Sequence, residues 1–451
     1  MWRQRVEPGV AMGRWGWRMG GALILLMGLG ALWEGLHLLP PRYVARLVPE
    51  PLQAWIWPAH PAAVPTPSTP VPPERLAVLL TPLTPALRPS PGPTPSRTPV
   101  PSPSPRPSPS PTPRPLPTPT VTPPVFPGPT QAARNTPAAL DEADVLLYGV
   151  RHTFQTWNNC GPATLAMALS FYGWRGTQKE AAAVLKPDPE DKNVSPEEMA
   201  AFARSLGLGA RVRVNGTLPL LQQLLRNGFP VIIETGFEPD PRQGWMGHYR
   251  LLIGFSERRG QFIVMDSYMG PNQGIPYAEV DRYWRHFQRA YIVIYRLEDE
   301  ERVRALIGPV WDDDGRMWAE ALARAQEELV ADPRDAFAWF NAGAAFLHLG
   351  RAEEAATAFD QARTLGLPWR ILWYRFEPFE AYLAVGRYAD VIALADANLR
   401  VTPYVEEWYD YKGQALLALG DREGARAMFQ RALQFNPNFQ AAREHLTALT
   451  P

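Results

Sequence analysis

A single cysteine occurs in the 451 residues, Cys160, and it stands where a polar run, Gln155-Thr156-Trp157-Asn158-Asn159, gives way to Gly161-Pro162-Ala163-Thr164-Leu165-Ala166-Met167-Ala168-Leu169. The polar run reads as loop. Ala, Leu and Met carry a helix from Ala163 to Tyr172, and Gly173 stops it. A thiol at a helix N-terminus feels the positive end of the macrodipole, which favours the thiolate, the form that attacks carbonyls. Gln155, five residues upstream, has an amide N–H able to reach back to an oxyanion. Downstream, Gly247-His248-Tyr249-Arg250-Leu251-Leu252-Ile253-Gly254-Phe255 reads as a strand opening with a histidine, and Phe262-Ile263-Val264-Met265-Asp266-Ser267 as a strand ending in an aspartate. A turn at Gly260 joins them as a hairpin. Antiparallel pairing then sets His248 beside Asp266, where the carboxylate can orient the imidazole and the imidazole can take the thiol proton. The competing reading is an inert core thiol.

This order of Gln, Cys, His and Asp, with Cys-Gly-Pro at a helix start and Gly-His-Tyr on a strand, resembles the bacteriocin-processing, double-glycine-leader cysteine peptidases. More closely it resembles their stand-alone bacterial relatives, over Leu146–Arg296. The resemblance implies an α+β papain-like cysteine peptidase domain at 146–297 that hydrolyses peptide bonds. By it Cys160 is the nucleophile, His248 the base, Asp266 the orienting acid and Gln155 the oxyanion donor. Gln155 stands one residue nearer the cysteine than the family's glutamine usually does, so Asn159 is kept as an alternative donor.

The elements needed to position these groups are legible. Helices are expected over Gln178–Leu185, from the cap Ser195-Pro196-Glu197-Glu198 to about Leu206, and over Leu218–Asn227 ending at Gly228. Strands are expected at Arg211–Val214, Phe229–Glu234 and Tyr291–Tyr295, an α+β order. His152 reads as a solvated loop residue and His286 as a surface one. Trp157 and Trp245 either shape a cleft or pack over the hairpin. No two histidines stand at zinc-ligand spacing and Cys160 has no second thiol, so neither metal nor other cofactor is expected.

From Asp335 to Pro437 small and aromatic residues recur: Gly343, Phe346, Gly350, Ala355, Phe359 and Ala362 return as Gly413, Leu416, Gly420, Ala425, Phe429 and Ala432. A middle copy carries Tyr382, Gly386 and Pro403, but has Phe379 where a small residue is expected and is out of period. The pattern resembles tetratricopeptide repeats. An all-α solenoid is expected over 312–451, with Met317–Leu329 as a leading half-repeat and Asn438–Leu449 as a cap. Such a solenoid implies a groove for a protein partner or for the substrate, or else an appendage packed on the catalytic domain.

Ahead of these domains, Arg3, Arg5, Arg14 and Arg18 precede an apolar run, and Arg42 and Arg46 follow it. A basic cytoplasmic N-terminus at 1–18 and a transmembrane signal anchor at 19–39 are expected, with a cleaved signal peptide as the alternative. A Pro/Ser/Thr-rich stretch, 58–130, reads as a disordered linker. Forty-five basic residues balance 45 acidic ones, which gives no pointer to nucleic acid. The expectation is a single-pass membrane protein with extracytoplasmic folded domains, or a secreted one if the segment is cleaved. Two functions compete: a thiol peptidase (or an acyl transferase using the same thiol) and a non-catalytic envelope scaffold.

Overall fold

The computed structural model describes residues 64–67, 69–80, 144–239 and 243–449. The expected anchor at 19–39 lies outside them, as do residues 58–63 and 81–130 of the expected linker.

Part of the linker is corrected. Residues 73–79 form a helix, α1 (Pro73–Leu79), started by a proline in its first turn. Val64 and Leu79 are buried against the repeat region. The Val64 N–H donates to Leu367 O at 2.9 Å, Arg363 donates to Pro65 O at 2.8 Å, and Gln326 to Leu79 O at 2.8 Å. The composition of the whole stretch hid a short apolar motif, Leu76, Leu79 and Leu80, with helical spacing.

An antiparallel sheet follows, most of its strands coming after a run of helices. Strand β1 (Asp144–Leu146) precedes three helices, α2 (Cys160–Phe171), α3 (Gln178–Leu185) and α4 (Pro196–Ser205). Then come β2 (Gly209–Arg213), α5 (Leu218–Arg226), β3 (Val231–Phe237), β4 (Met246–Ser256), β5 (Gln261–Asp266) and β6 (Gly270–Pro276). Helix α6 (Tyr277–Trp284) and β7 (Tyr291–Tyr295) close the domain. The sheet order among the described residues is β2-β7-β3-β4-β5-β6, with β1 on the end of β4 beyond β3. The α+β expectation holds, and so does the Ser195 cap that starts α4; α3 has a capping box of its own at Thr177. Strand β6 is not among the strands expected from the sequence, and ahead of β7 helix α6 runs into a short 3-10 turn, Arg285–Phe287.

The core forms where the helices cover the sheet. Helix α2 is nearly all buried, from Gly161 to Ser170. It lies so close to β4 that a Cβ on Gly161 would sit 3.3 Å from Val194 Cβ and 3.5 Å from the Tyr249 ring. Gly254 has a similar duty: a Cβ there would meet Val145 O at 2.2 Å, where β1 crosses the bulged part of β4.

The helical region continues through α7 (Glu300–Ile307), α8 (Asp314–Ala331), α9 (Ala336–His348), α10 (Ala352–Leu365), α11 (Glu377–Ala384), α12 (Tyr388–Leu399), α13 (Glu406–Ala418), α14 (Arg422–Phe435) and α15 (Gln440–Ala448). The recurring glycines explain its pairing. At Gly343 and Gly413 a Cβ would fall 2.8 Å and 2.5 Å from the rings of Phe359 and Phe429 on the next helix. The acidic run Asp312–Asp314 is a helix entry tied to arginines: Asp312 pairs with Arg211 and Arg304, Asp314 with Arg213, and Asp313 caps α8.

The first helix of each repeat faces the sheet domain. On α9, Phe337 stacks on His286 at 3.6 Å between centroids and Asn341 donates to Arg285 O at 2.8 Å. Arg375, just ahead of α11, donates to His286 O, and Glu407 of α13 accepts from Asn193 at 3.0 Å. His286 is therefore corrected: it is buried, accepts a hydrogen bond from Trp245, and is pushed down to about 3 by burial and the charges of Arg285 and Arg282. The adjacent Arg285 favours exposure in sequence, but the repeats cover this edge.

Replacing Gly413 with alanine drives a methyl into the Phe429 ring and should destabilise the chain by about 1–3 kcal/mol in urea unfolding. Gly315→Ala, whose Cβ would meet only an Asp313 oxygen at 3.6 Å, should stay within about 0.5 kcal/mol of the parent.

Candidate active site

The loop before α2 is held by two side chains from α3 and its end, Gln178 and Lys186. Gln178 of α3 accepts from Thr156 N at 2.9 Å and from Asn159 Nδ2 at 2.7 Å, and donates to Phe154 O at 2.7 Å. Lys186, also buried, donates to Asn158 O and Asp191 O, each at 2.7 Å. Asn158 takes a left-handed backbone, φ 51, which asparagine tolerates at a tight turn. The N-cap residue Asn159 makes no side-chain cap; its amide nitrogen donates to Gln178. The first-turn N–H groups beside Cys160 thus carry no side-chain cap, a favourable place for negative charge.

The hairpin brings the other groups in. Register runs Leu251↔Met265, so the next step sets Arg250 opposite Asp266, with His248 two residues on along the same face. His248 Nε2 lies 2.9 Å from Asp266 Oδ1, and Arg250 Nε 3.1 Å from Oδ2. The backbone N–H groups of Tyr268 and Met269 donate to Oδ1 at 2.8 and 2.9 Å. Phe237 stacks on the imidazole at 4.6 Å and lies under the Arg250 guanidinium at 5.1 Å. With Nε2 given to the carboxylate, Nδ1 is left for the Cys160 thiol, whose ionised form the neighbouring His248 favours.

Charges follow from these contacts. Burial opposes ionisation of Asp266, yet His248, Arg250 and the backbone donors hold its carboxyl well below the usual range. Burial also disfavours the imidazolium, but Asp266 and Cys160 outweigh it and lift His248 to about 9. For Cys160, burial pushes up, while His248, a backbone hydrogen bond from Tyr249 and the charge of Lys186 bring the thiol below its ordinary value. These contacts push the thiol toward its ionised form and the imidazole toward its cation.

Gln155 lies in the same cluster. Its N–H donates to Ser267 O at 2.8 Å, and its Oε1 accepts from Ser267 Oγ at 2.9 Å, which turns the amide nitrogen away from Ser267. Asn159 differs, since its nitrogen is engaged by Gln178. His152 is half-buried and bonds Asp266 O at 2.9 Å, so it belongs to the rim of the site and not to open solvent. Trp157 donates to Glu190 at 3.2 Å, and Trp245 stacks on Phe287 at 5.8 Å, at the junction with the repeats. Among the described residues no cluster of ligating side chains could hold a metal ion.

Sequence reasoning missed Gln178, Arg250, Ser267 and the repeat residue Tyr374. Arg250 had a signal, since it stands two residues after His248 on a strand. Tyr374 had none, because it lies outside the repeat pattern. It lines, with Cys160, Gly161, Glu234, Gly247 and Tyr249, a cavity of about 10 Å³.

The imidazolium's stabilising pair has a definite pH window. The folded value of His248 lies above the ordinary 6.5, so the contribution is complete below about pH 6.5 and is lost as pH rises through about 9. Thermal melts between pH 7 and 10 should show a decline, on the order of 2 kcal/mol, that His248→Gln largely removes.

Residues 147–297 match the Peptidase_C39 like family, and residues 406–439 match a tetratricopeptide repeat. No curated protein sequence matches the chain. Among solved structures, the chain is similar to a C39-like peptidase from Bacillus anthracis, at 16% identity over 34% of this chain and 98% of that one, with a TM-score of 0.29. A double glycine motif protease from an AMS/PCAT transporter, in complex with the leader peptide, matches at 23% identity over 33% and 91%, TM-score 0.24. YrrB, a TPR protein with an unusual peptide-binding site, matches at 17% identity over 29% and 84%, TM-score 0.18.

Proposed function

We propose that this chain, whose residues 147–297 carry a C39-like peptidase domain and whose residues 406–439 carry a tetratricopeptide repeat, is a papain-like cysteine peptidase. The observation that carries the reading is the buried relay from Asp266 through His248 to a cysteine at a helix N-terminus. In it the Cys160 thiolate attacks the scissile carbonyl. The oxyanion is received by the Gln155 amide and the first-turn N–H of α2. Imidazolium gives its proton to the leaving amine, and a water deprotonated by the same ring then hydrolyses the thioester. Asp266 keeps the ring oriented and its cation stable.

The repeats complete this domain on one side and, in this proposal, take up a protein partner or the flanking chain of the substrate. The N-terminal segment 19–39 tethers the enzyme to the membrane, with both folded regions outside the cytoplasm. Arginine bias about that segment supports the orientation. A reporter active only in the cytoplasm, fused after Pro451, should therefore stay silent.

The second reading, a non-catalytic scaffold, is favoured by one feature: the cavity at Cys160 has room for about one water. Labelling separates the two. In papain-like sites the pairing takes a thiol from about 8.5 to roughly 3–4, so iodoacetamide should alkylate Cys160 quickly at pH 6 and His248→Ala should abolish that speed. Slow labelling indifferent to His248 would sink the enzyme reading. Asp266→Asn should lower turnover and leave the thiol labelable. Gln155→Ala should cost about 10²-fold or more in kcat at unchanged labelling. Ser267→Ala should lower kcat in the same direction by a smaller factor, and add little to Gln155→Ala, because it acts through the same amide.

A further inference from the structure

The stack departs from its period in the middle repeat. Helix α11 has 8 residues, where α9 and α13 each have 13. Ahead of it the chain makes a 3-10 turn, Trp369–Trp373, that the flanking repeats lack. The turn is fixed from both sides. Trp408 of α13 donates to Leu372 O at 2.9 Å, and Arg370 donates to Gln243 O at 2.5 Å and Trp245 O at 3.2 Å in the sheet domain. Tyr374 follows directly.

The Tyr374 ring lies on Gly247, the residue before His248. A Cβ on Gly247 would come within 3.0 Å of two carbons of that ring, and within 2.8 Å of Phe287. Trp245 and Phe287 hold the ring edge-on, at 6.1 and 5.9 Å between centroids. From this seat Tyr374 lines the cavity that contains Cys160. Burial first, and then the charge of the thiol, keep the phenol hydroxyl protonated beyond its ordinary range. On this side of the half-buried Cys160 the shared cavity has about 10 Å³ of free space, room for about one water.

We propose that Tyr374 is a specificity-determining residue of the thiol site: its ring, delivered by the irregular middle repeat, closes the cleft over Cys160 and sets the size of the acyl group that reaches the sulfur. This rests on the reading of Cys160 as a nucleophile. The short α11 and the out-of-period insertion are then the means by which a repeat reaches a neighbouring active site. Regular helical geometry at this point would carry the chain along the stack and not into the cleft. Removing the whole ring opens the slot, whereas removing only the hydroxyl leaves it shut.

The test uses the full chain and two alkylating probes at pH 6, iodoacetamide and N-pyrenylmaleimide. Each rate is divided by the same reagent's rate on free cysteine. In the parent, normalised iodoacetamide labelling should exceed normalised pyrenylmaleimide labelling by about 10²-fold, the discrimination a tight wall gives against bulk. Tyr374→Ala should shrink that ratio by about tenfold or more, and Tyr374→Phe should keep it. Circular dichroism melts certify each variant. If Tyr374→Ala lacks a cooperative melt, Tyr374→Leu carries the test, because it keeps apolar contact with Trp245 and Phe287 while clearing the rim. A folded Tyr374→Ala or Tyr374→Leu with the parent ratio overturns the proposal, as does a Tyr374→Phe that loses it. The nucleophile reading fails separately, through iodoacetamide alone, if the rate ignores His248→Ala.

Discussion

The Asp266 carboxylate is the group on which the candidate site depends. It is fully buried, and a lone buried carboxylate is costly. Here each oxygen is satisfied: one by His248 and two backbone N–H groups, the other by Arg250. The arginine matters because it leaves the carboxylate charged even when the imidazole is neutral. A charged Asp266 in turn raises His248, and a protonated His248 draws the thiol down. Breaking a buried charge pair from one side typically costs about 3–5 kcal/mol, so these three residues stand or fall together.

That network reaches into the loops. Ser267, next to the carboxylate, turns the Gln155 amide, and His152 bonds the Asp266 carbonyl. Gln178 and Lys186 fix the turn into α2 from the opposite side. The site is therefore assembled from the start of one helix and from two neighbouring strands, and its accuracy comes from side chains that touch no reacting atom.

The repeats have a more local part than their pattern suggested. They pack on the sheet domain through Phe337 and Asn341 of α9, Arg375 ahead of α11 and Glu407 of α13. Trp245 and Phe287 of that domain join the repeat core. A face of the repeats that a sequence reading offers to a partner is thus partly taken by the same chain, and the linker segment 64–80 takes part of another. Fold alone would not have revealed either arrangement.

Local chemistry was legible in the sequence because it is governed by near neighbours. Cys160 at a helix start, the cap at Ser195, and the apolar runs of β4 and β5 follow from residues a few positions apart. The small residues at Gly343 and Gly413 announce close helix packing in the same way. Resemblance then named Cys160, His248, Asp266 and Gln155, and the fold brings His248 to Asp266 and ties Gln155 to the residue that follows it. What only the tertiary structure decided lies across long separations: Arg250 against Asp266 through strand register, Gln178 beneath the nucleophile loop, His286 under Phe337, and Tyr374 in the cavity that Cys160 lines. None of these pairs shares a local motif. Each exists because burial forces polar groups and rings from distant segments to find partners, and which partners they find is fixed by how the sheet and the repeats pack together.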